Sequence, residues 1–278
     1  MKIYVFGYKG MLGRYVYTYL KSKDFNVVGL SRKNIDISDI YCEDDLNSIL
    51  HYEGVEKNDV IINCAGIIKS VINDNDIQSI IIVNSLFPHY LNNVSKKEGY
   101  KLIHVTTDCV FSGKDGLYLE HSPHDCTDVY GKTKSLGEPN NCTVIRTSII
   151  GEEINRTRSL MEWVKSMKDK TVDGYTNHIW NGLTCLQLAK IFEDIIVNKK
   201  YWYGVRHLFS PKIISKYDLI KSISNIYNLN ITINPIELSL KCDRSLATNY
   251  PDTSFIIPDI NDQIKEQHDF INLLNSEI

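Results

Sequence analysis

Tyr130-Gly-Lys-Thr-Lys134 reads Y-x-x-x-K. If the segment is helical, its first and last side chains lie on one face, a turn apart. An ammonium beside a phenol favours the phenolate, so the expectation is a Tyr130 pKa lowered from about 10. Such a phenol can pass a proton to or from an oxygen near neutral pH. This spacing arises on many helix surfaces, so its meaning depends on a second segment, Thr106-Thr107-Asp108-Cys109. That segment ends an apolar run, Lys101–Thr106. A hydroxyl at a strand's carboxyl end can hydrogen-bond a carbonyl oxygen, and doubly wound folds place their ligands there.

A third signal supplies a partner for these groups. Gly7-Tyr-Lys-Gly10-Met-Leu-Gly13 follows the first apolar run and opens the first amphipathic stretch. Glycines here permit a tight turn and let the backbone approach a pyrophosphate, while a helix N-terminus offers unpaired N–H groups. Gly7, Gly10, Met11, Leu12 and Gly13 are therefore expected against a dinucleotide. The second run ends Gly29-Leu30-Ser31-Arg32-Lys33, without an acid at its tip. An acid there would hold the ribose 2′-hydroxyl of NAD. Arg32, with Ser31 beside it, instead suits the 2′-phosphate of NADP(H).

These residues need elements to position them. Lys2–Phe6, Asn26–Leu30, Asp59–Cys64, Lys101–Thr106 and Thr143–Thr147 read as strands, and Met11–Lys21 as a helix. Strands spaced by helix-length segments predict an α/β fold: a Rossmann-type doubly wound parallel sheet, with a smaller C-terminal substrate lobe. The division expected is a nucleotide-binding domain over 1–150, rejoined by about 181–210, and a lobe from 151–180 and 211–278. Within the latter half, Ser159–Lys168, Leu186–Val197 and Lys216–Tyr227 have helical periodicity, and Gly204–Phe209 reads as a strand.

Composition narrows the partners. The 278 residues carry a formal charge of −3 with a pI near 6.2, which gives nucleic acid or a membrane surface no electrostatic reason to bind. Seven cysteines without a C-x-x-C pair predict reduced thiols and a cytoplasmic protein. The N-terminal run is broken at once by glycine and lysine, unlike a signal peptide. His121-Ser-Pro-His124 has a metal-like spacing but no patterned carboxylate or thiolate, so no metal is expected. Of Trp163, Trp180 and Trp202, at least two should pack the core.

The glycine turn, Thr107, Tyr130 and Lys134 together resemble the extended short-chain dehydrogenase/reductases. The segments FGYKGMLGRYV, DVIINCAG, VNSLFP, HVTTDCVFSGKDGLYLE, DVYGKTKSLGE and VIRTSIIG are similar to those of 4-dehydrorhamnose reductases and related sugar-nucleotide reductases. The likeness covers the first 151 residues well and thins beyond. It implies that Thr107 and Tyr130 orient and protonate a carbonyl oxygen while NADPH delivers hydride, and that Lys134 holds the nicotinamide ribose. It further implies that Ala65 and Gly66 line the cofactor, that Asp36 and Ile37 lie near the adenine, and that the protein is a homodimer.

Cys109 stands where rhamnose-forming bacterial reductases usually carry tyrosine. A cysteine there resembles bifunctional epimerase/reductases, in which it is an acid/base at the carbons flanking the ketone; the competing reading is a small packing residue. Those enzymes use a second acid/base on the first lobe helix. Here Trp163 takes that place, with Lys165 two residues on, which speaks against double epimerisation. The segments RTSIIG, RSLMEW and GYTNHIWNGLT resemble reductases of UDP-linked 2-acetamido-2,6-dideoxy-4-keto sugars. That makes such a sugar the preferred substrate, with Asp108, Cys109, Arg158 and Asn177 as its expected contacts. The alternatives are a UDP- or dTDP-4-keto-6-deoxyglucose epimerase/reductase giving L-rhamnose, and a non-catalytic subunit like the regulatory subunit of methionine adenosyltransferase.

Overall fold

The computed structural model describes residues 1–72, 76–153, 159–250 and 255–276. Its first strand, β1 (Ile3–Phe6), is a run of four fully buried residues. The chain then alternates through α1 (Met11–Ser22), β2 (Val27–Leu30), α2 (Glu43–Tyr52), β3 (Val60–Asn63), α3 (Ile77–Ile81), α4 (Phe87–Glu98), β4 (Lys101–Thr107), α5 (Val129–Leu136) and β5 (Thr143–Thr147). Strands buried on both faces read as continuous apolar runs, which is why these were plain in the sequence.

The lobe begins with β6 (Ile149–Ile150), α6 (Leu160–Ser166), β7 (Thr171–Tyr175), β8 (His178–Trp180) and β9 (Leu183–Thr184). Next, α7 (Cys185–Val197) and β10 (Gly204–His207) return to the main sheet. The chain ends with β11 (Ile214–Ser215), α8 (Lys216–Ile226), β12 (Thr232–Ile236), β13 (Cys242–Asp243) and α9 (Ile260–Ser276).

The main sheet has six parallel strands in the order β10-β5-β4-β3-β1-β2. Strand order reverses beside β1, so a crevice opens between the carboxyl ends of β1 and β3. One face is covered by α1, α7 and the end of α9, through Leu12, Tyr15, Val16, Leu188, Phe192 and Leu274. On the other face, α2 and α4 pack through Leu46, Leu50, Phe87, Leu91 and Val94. The lobe has its own core around Met161, Val164, Trp180, Leu219 and Ile223, which also takes in Ile260 and Ile264 of α9. Helix α9 thus begins in one core and ends in the other. Both Trp180 and Trp202 are buried, whereas Trp163 is partly exposed.

Glu152 joins the halves. Its carboxylate, 5% exposed, accepts hydrogen bonds from the hydroxyls of Tyr15 on α1 and of Tyr227 just after α8. Burial and the Glu152 charge push both phenols up, so both remain donors.

Between α3 and α4 the helix widens into a π-helical turn, Ile82–Leu86. Such turns displace side chains from the α-helical register and recur at functional sites. Here the turn directs Asn84, which is fully buried, at two elements of the site. Its amide accepts from the Ile67 N–H at 2.8 Å, donates to the Ile67 carbonyl at 2.9 Å, and donates to Thr133 Oγ1 at 3.3 Å. Ser85 Oγ donates to the Thr133 carbonyl at 2.7 Å. The loop after β3 and the middle of α5 are thereby fixed to one another.

Candidate active site

Three sheet elements meet at the crevice. The turn after β1 holds Gly7 at φ +72°, a conformation open to glycine. A Cβ on Gly13 would stand 2.3 Å from the Gly7 carbonyl oxygen, so helix and turn approach closer than any side chain permits. Gly10 precedes α1 without a side-chain cap, and the first turn of α1 carries no acid. Its N–H groups are thus oriented for an anion, with the helix dipole behind them. The site fits a dinucleotide pyrophosphate. Arg32 is largely exposed past the end of β2 and lies 3.6 Å from Asp36, beside Ser31. Asp36 caps the short turn containing Ile37 and accepts from the Ser38 N–H and hydroxyl.

The loop after β3 is shaped by Asn63, whose side chain accepts from the Ala65 N–H at 3.1 Å and contacts His104 Nδ1 at 3.1 Å. Gly66 follows. A Cβ there would lie 3.5 Å from Asn84 Oδ1 and 4.0 Å from Lys134 Nζ. The loop after β3 and the helix carrying Tyr130 and Lys134 therefore lie close together.

Helix α5 starts at Asp128, whose carboxylate accepts from the Gly131 N–H at 3.0 Å, and this cap fixes where Tyr130 and Lys134 point. Lys134 is buried and donates to the Val105 carbonyl at 3.0 Å. Burial lowers its pKa to about 8, with Glu138 and Cys64 pulling the other way. Tyr130 faces Thr107 at the end of β4. Its pKa is raised, first by burial and then by Cys109, with Thr107 acting the other way. This corrects the expected lowering: the ammonium faces a backbone carbonyl, and desolvation of the phenol outweighs it. In the protein alone Tyr130 is an acid holding its proton.

Thr107 Oγ1 accepts from the Cys109 N–H at 3.2 Å and donates to Asp108 Oδ1 at 3.1 Å. Asp108 is 4% exposed, with Ser148 and Cys109 beside it. Burial and Asp108 push the Cys109 thiol up to about 12, against Arg244. Cys109 therefore also stands protonated.

Two cations flank this group. Arg244 Nη1 is 4.0 Å from Cys109 Sγ, and its Nε donates to the Phe111 carbonyl at 3.0 Å. Lys216, at the start of α8, lies over the Trp180 ring at 5.0 Å and faces Asp108, Cys109 and Cys242. The three-stranded sheet β11-β8-β13 sets Lys216, Trp180 and Arg244 side by side. Sequence reasoning missed both cations, since nothing local to either one signals a site.

Lys165, by contrast, pairs with Glu162 at 2.9 Å. Asn177 has both ends of its amide bonded to the backbone of Leu238. Arg158 lies outside the described residues. His121 and His124 bond Asn249 and Ser135, and among the described residues no group of three or more His, Cys, Asp or Glu could hold a metal. None of the described helices is long and apolar enough to cross a membrane. All seven cysteines are free.

The sequence model of the RmlD substrate binding domain matches residues 1–246, most of the chain and every residue of the site just described. The chain belongs to the RmlD substrate binding domain family. Among curated relatives, the spore coat polysaccharide biosynthesis protein SpsK of Bacillus subtilis (strain 168) is 30% identical over 53% of this chain and 52% of its own length, so this chain spans about half of that relative. The dTDP-4-dehydrorhamnose reductase of Aggregatibacter actinomycetemcomitans is 27% identical over 80% of this chain and 78% of its own. Also similar is the methionine adenosyltransferase 2 subunit beta of Danio rerio, 23% identical over 82% of this chain and 74% of its own. Among solved structures, the dTDP-4-dehydrorhamnose reductase of Bacillus anthracis str. Ames in complex with NADP has a TM-score of 0.79 at 18% identity, covering 98% of this chain and 99% of that one, a likeness of fold.

Proposed function

We propose that this protein reduces the C4 ketone of a nucleotide-linked 4-keto-6-deoxy sugar with NADPH, the preferred substrate being UDP-2-acetamido-2,6-dideoxy-hexos-4-ulose. The observation that carries this reading is Tyr130 facing Thr107 at the end of β4, with Lys134 of the same helix buried against the Val105 carbonyl. A scaffold such as the methionine adenosyltransferase subunit has no chemical need for a buried lysine and a protonated tyrosine at that crevice.

In this mechanism Gly7, Gly10 and Gly13 with the α1 N-terminus would hold the pyrophosphate, and Ala65 and Gly66 would line the cofactor. Bound NADPH supplies the hydride. Thr107 donates to the ketone oxygen, and Tyr130, protonated near neutral pH, delivers its proton as charge develops there. Lys134 would hold the nicotinamide ribose. The low pKa of its amine makes that contact responsive to pH near 8.

The deciding experiment offers UDP-2-acetamido-2,6-dideoxy-hexos-4-ulose, UDP-4-keto-6-deoxyglucose and dTDP-4-keto-6-deoxyglucose with NADPH, following loss of its absorbance. The acetamido substrate should have the highest kcat/KM. A preference for the dTDP sugar would redirect the reading to rhamnose synthesis, and consumption of none would end it.

Two residues refine the proposal. Arg32 is assigned to the 2′-phosphate, a charge-assisted contact of about 1.5–3 kcal/mol. Arg32→Ala should therefore raise KM for NADPH roughly 10- to 100-fold while leaving that for NADH nearly unchanged. An equal effect on both would remove the assignment. Cys109, whose thiol stands protonated, is assigned the return of a proton to C3 after solvent removes the one acidified by the neighbouring ketone, the thiolate then regaining its proton from water. Deuterium from heavy water should enter C3 with the unmodified protein and not with Cys109→Ala. Equal exchange would leave the thiol a packing role only.

A further inference from the structure

The reaction crevice opens at the carboxyl ends of the strands, and a second cleft lies at their amino ends. It encloses about 340 Å³ between α4, the starts of β4 and β5, and the turn before β10. Sites for small molecules begin near that size. Strand β4 runs from Lys101 in this cleft to Thr107 in the crevice, seven residues or about 20 Å, so the two sites are separate. The cleft is braced without a ligand. Thr143 Oγ1 donates to the Trp202 carbonyl at 2.9 Å and accepts from the Trp202 N–H at 3.2 Å, while the indole N–H donates to the Gly204 carbonyl at 3.0 Å. From α4, Asn92 and Ser95 line the cleft, each 4% exposed. The Asn92 amide donates to Asn93 Oδ1 at 3.1 Å, but its own Oδ1 has no partner, and neither has Ser95 Oγ. Buried polar atoms are nearly always paired, so two orphans at one cleft call for a partner from outside. The rim adds charge and ring surface. Lys96 and Lys101 are exposed, and among the described residues neither pairs with a carboxylate. Lys101 Nζ lies over the Tyr201 ring at 5.8 Å, and Tyr203, also lining the cleft, is 82% exposed.

We propose that this cleft is a second binding site, for a nucleoside phosphate, remote from the reacting groups. Lys96 and Lys101 meet the phosphate, and two ammonium groups from different elements suit a dianion better than a single carboxylate. Tyr203 gives the base a free face, and stacking on it is indifferent to which base arrives. The unpaired oxygens of Asn92 and Ser95 accept from a base amine or a ribose hydroxyl, donors that a plain aromatic anion lacks. The volume suits one nucleotide rather than a whole dinucleotide. Nothing in this assignment depends on which sugar the crevice takes.

The test is isothermal titration of the full chain with AMP, UMP, phenyl phosphate and inorganic phosphate, with an equivalent of NADPH present to occupy the crevice. AMP and UMP should each bind once per chain, and the two simpler anions at least roughly tenfold more weakly. Tyr203→Ala and Lys101→Gln should each weaken nucleotide binding roughly tenfold. Both side chains are exposed, so neither change threatens the fold. Both lie far from the crevice, so NADPH affinity should stay within about twofold. Ser95→Ala should weaken nucleotide binding severalfold without lowering the urea midpoint, since the oxygen it removes has no partner inside the protein. Nucleotide binding that survives all three changes intact, or none at millimolar concentration, would overturn the assignment. Inorganic phosphate binding as tightly as AMP would overturn it too, because only a charged rim would then be at work.

Discussion

Tyr130→Phe should lower kcat roughly 1,000-fold while leaving the affinity for NADPH within a factor of about two, because general acid catalysis contributes in that range and the ring itself is retained. The change removes one oxygen from a half-buried side chain. Helix α5 keeps its Asp128 cap, and Lys134 keeps its bond to Val105. Thr107 keeps its bonds to Asp108 and the Cys109 N–H. Loss of rate with an intact cofactor site therefore isolates the proton transfer. Steady-state oxidation of NADPH and a fluorescence titration of NADPH binding read the two quantities separately. Turnover near the unmodified rate would show that another group protonates the alkoxide.

Gly13→Ala should act in the opposite manner, weakening cofactor binding at least roughly tenfold and lowering stability by about 2 kcal/mol. A Cβ there would lie 2.3 Å from the Gly7 carbonyl oxygen and 2.8 Å from the Tyr8 Cα, both backbone atoms. Backbone cannot swing aside as a side chain can, so α1 must slide from the turn, and its N-terminal N–H groups leave the pyrophosphate position. Isothermal titration with NADPH and urea denaturation check the two effects. An unmoved binding constant would mean that the phosphates lie elsewhere.

How much of this was legible in the sequence differs sharply between elements. Thr143–Thr147 and Met11–Lys21 match β5 and α1 to within a residue, because a strand buried on both faces and a helix with one buried stripe write their periods into neighbouring residues. The glycine turn was equally plain, since steric demand at Gly7 and Gly13 admits no other residue type. Lys216 and Arg244 were not legible. They lie more than eighty residues from Tyr130 and reach the site by way of β11, β8 and β13, each two or three residues long and too short to show a period. The π-helical turn was hidden for a related reason. It gains its partners, Ile67 and Thr133, only when distant segments are brought together. Tyr130 shows a third limit, as spacing gave its neighbour Lys134 but not the desolvation that reverses the direction of the shift.

The Glu152 carboxylate has a consequence for how a ligand could enter. One phenol from the cofactor helix and another from beyond α8 hold the same charge, so separating the halves strands an anion in a dry seam. Losing the partners of a buried charge costs about 3–5 kcal/mol. That is too much to spend on each opening of a jaw. A sugar nucleotide must then slip between walls already bolted together, and selection among sugars falls to the fixed width of the slot rather than to the energy of its closing.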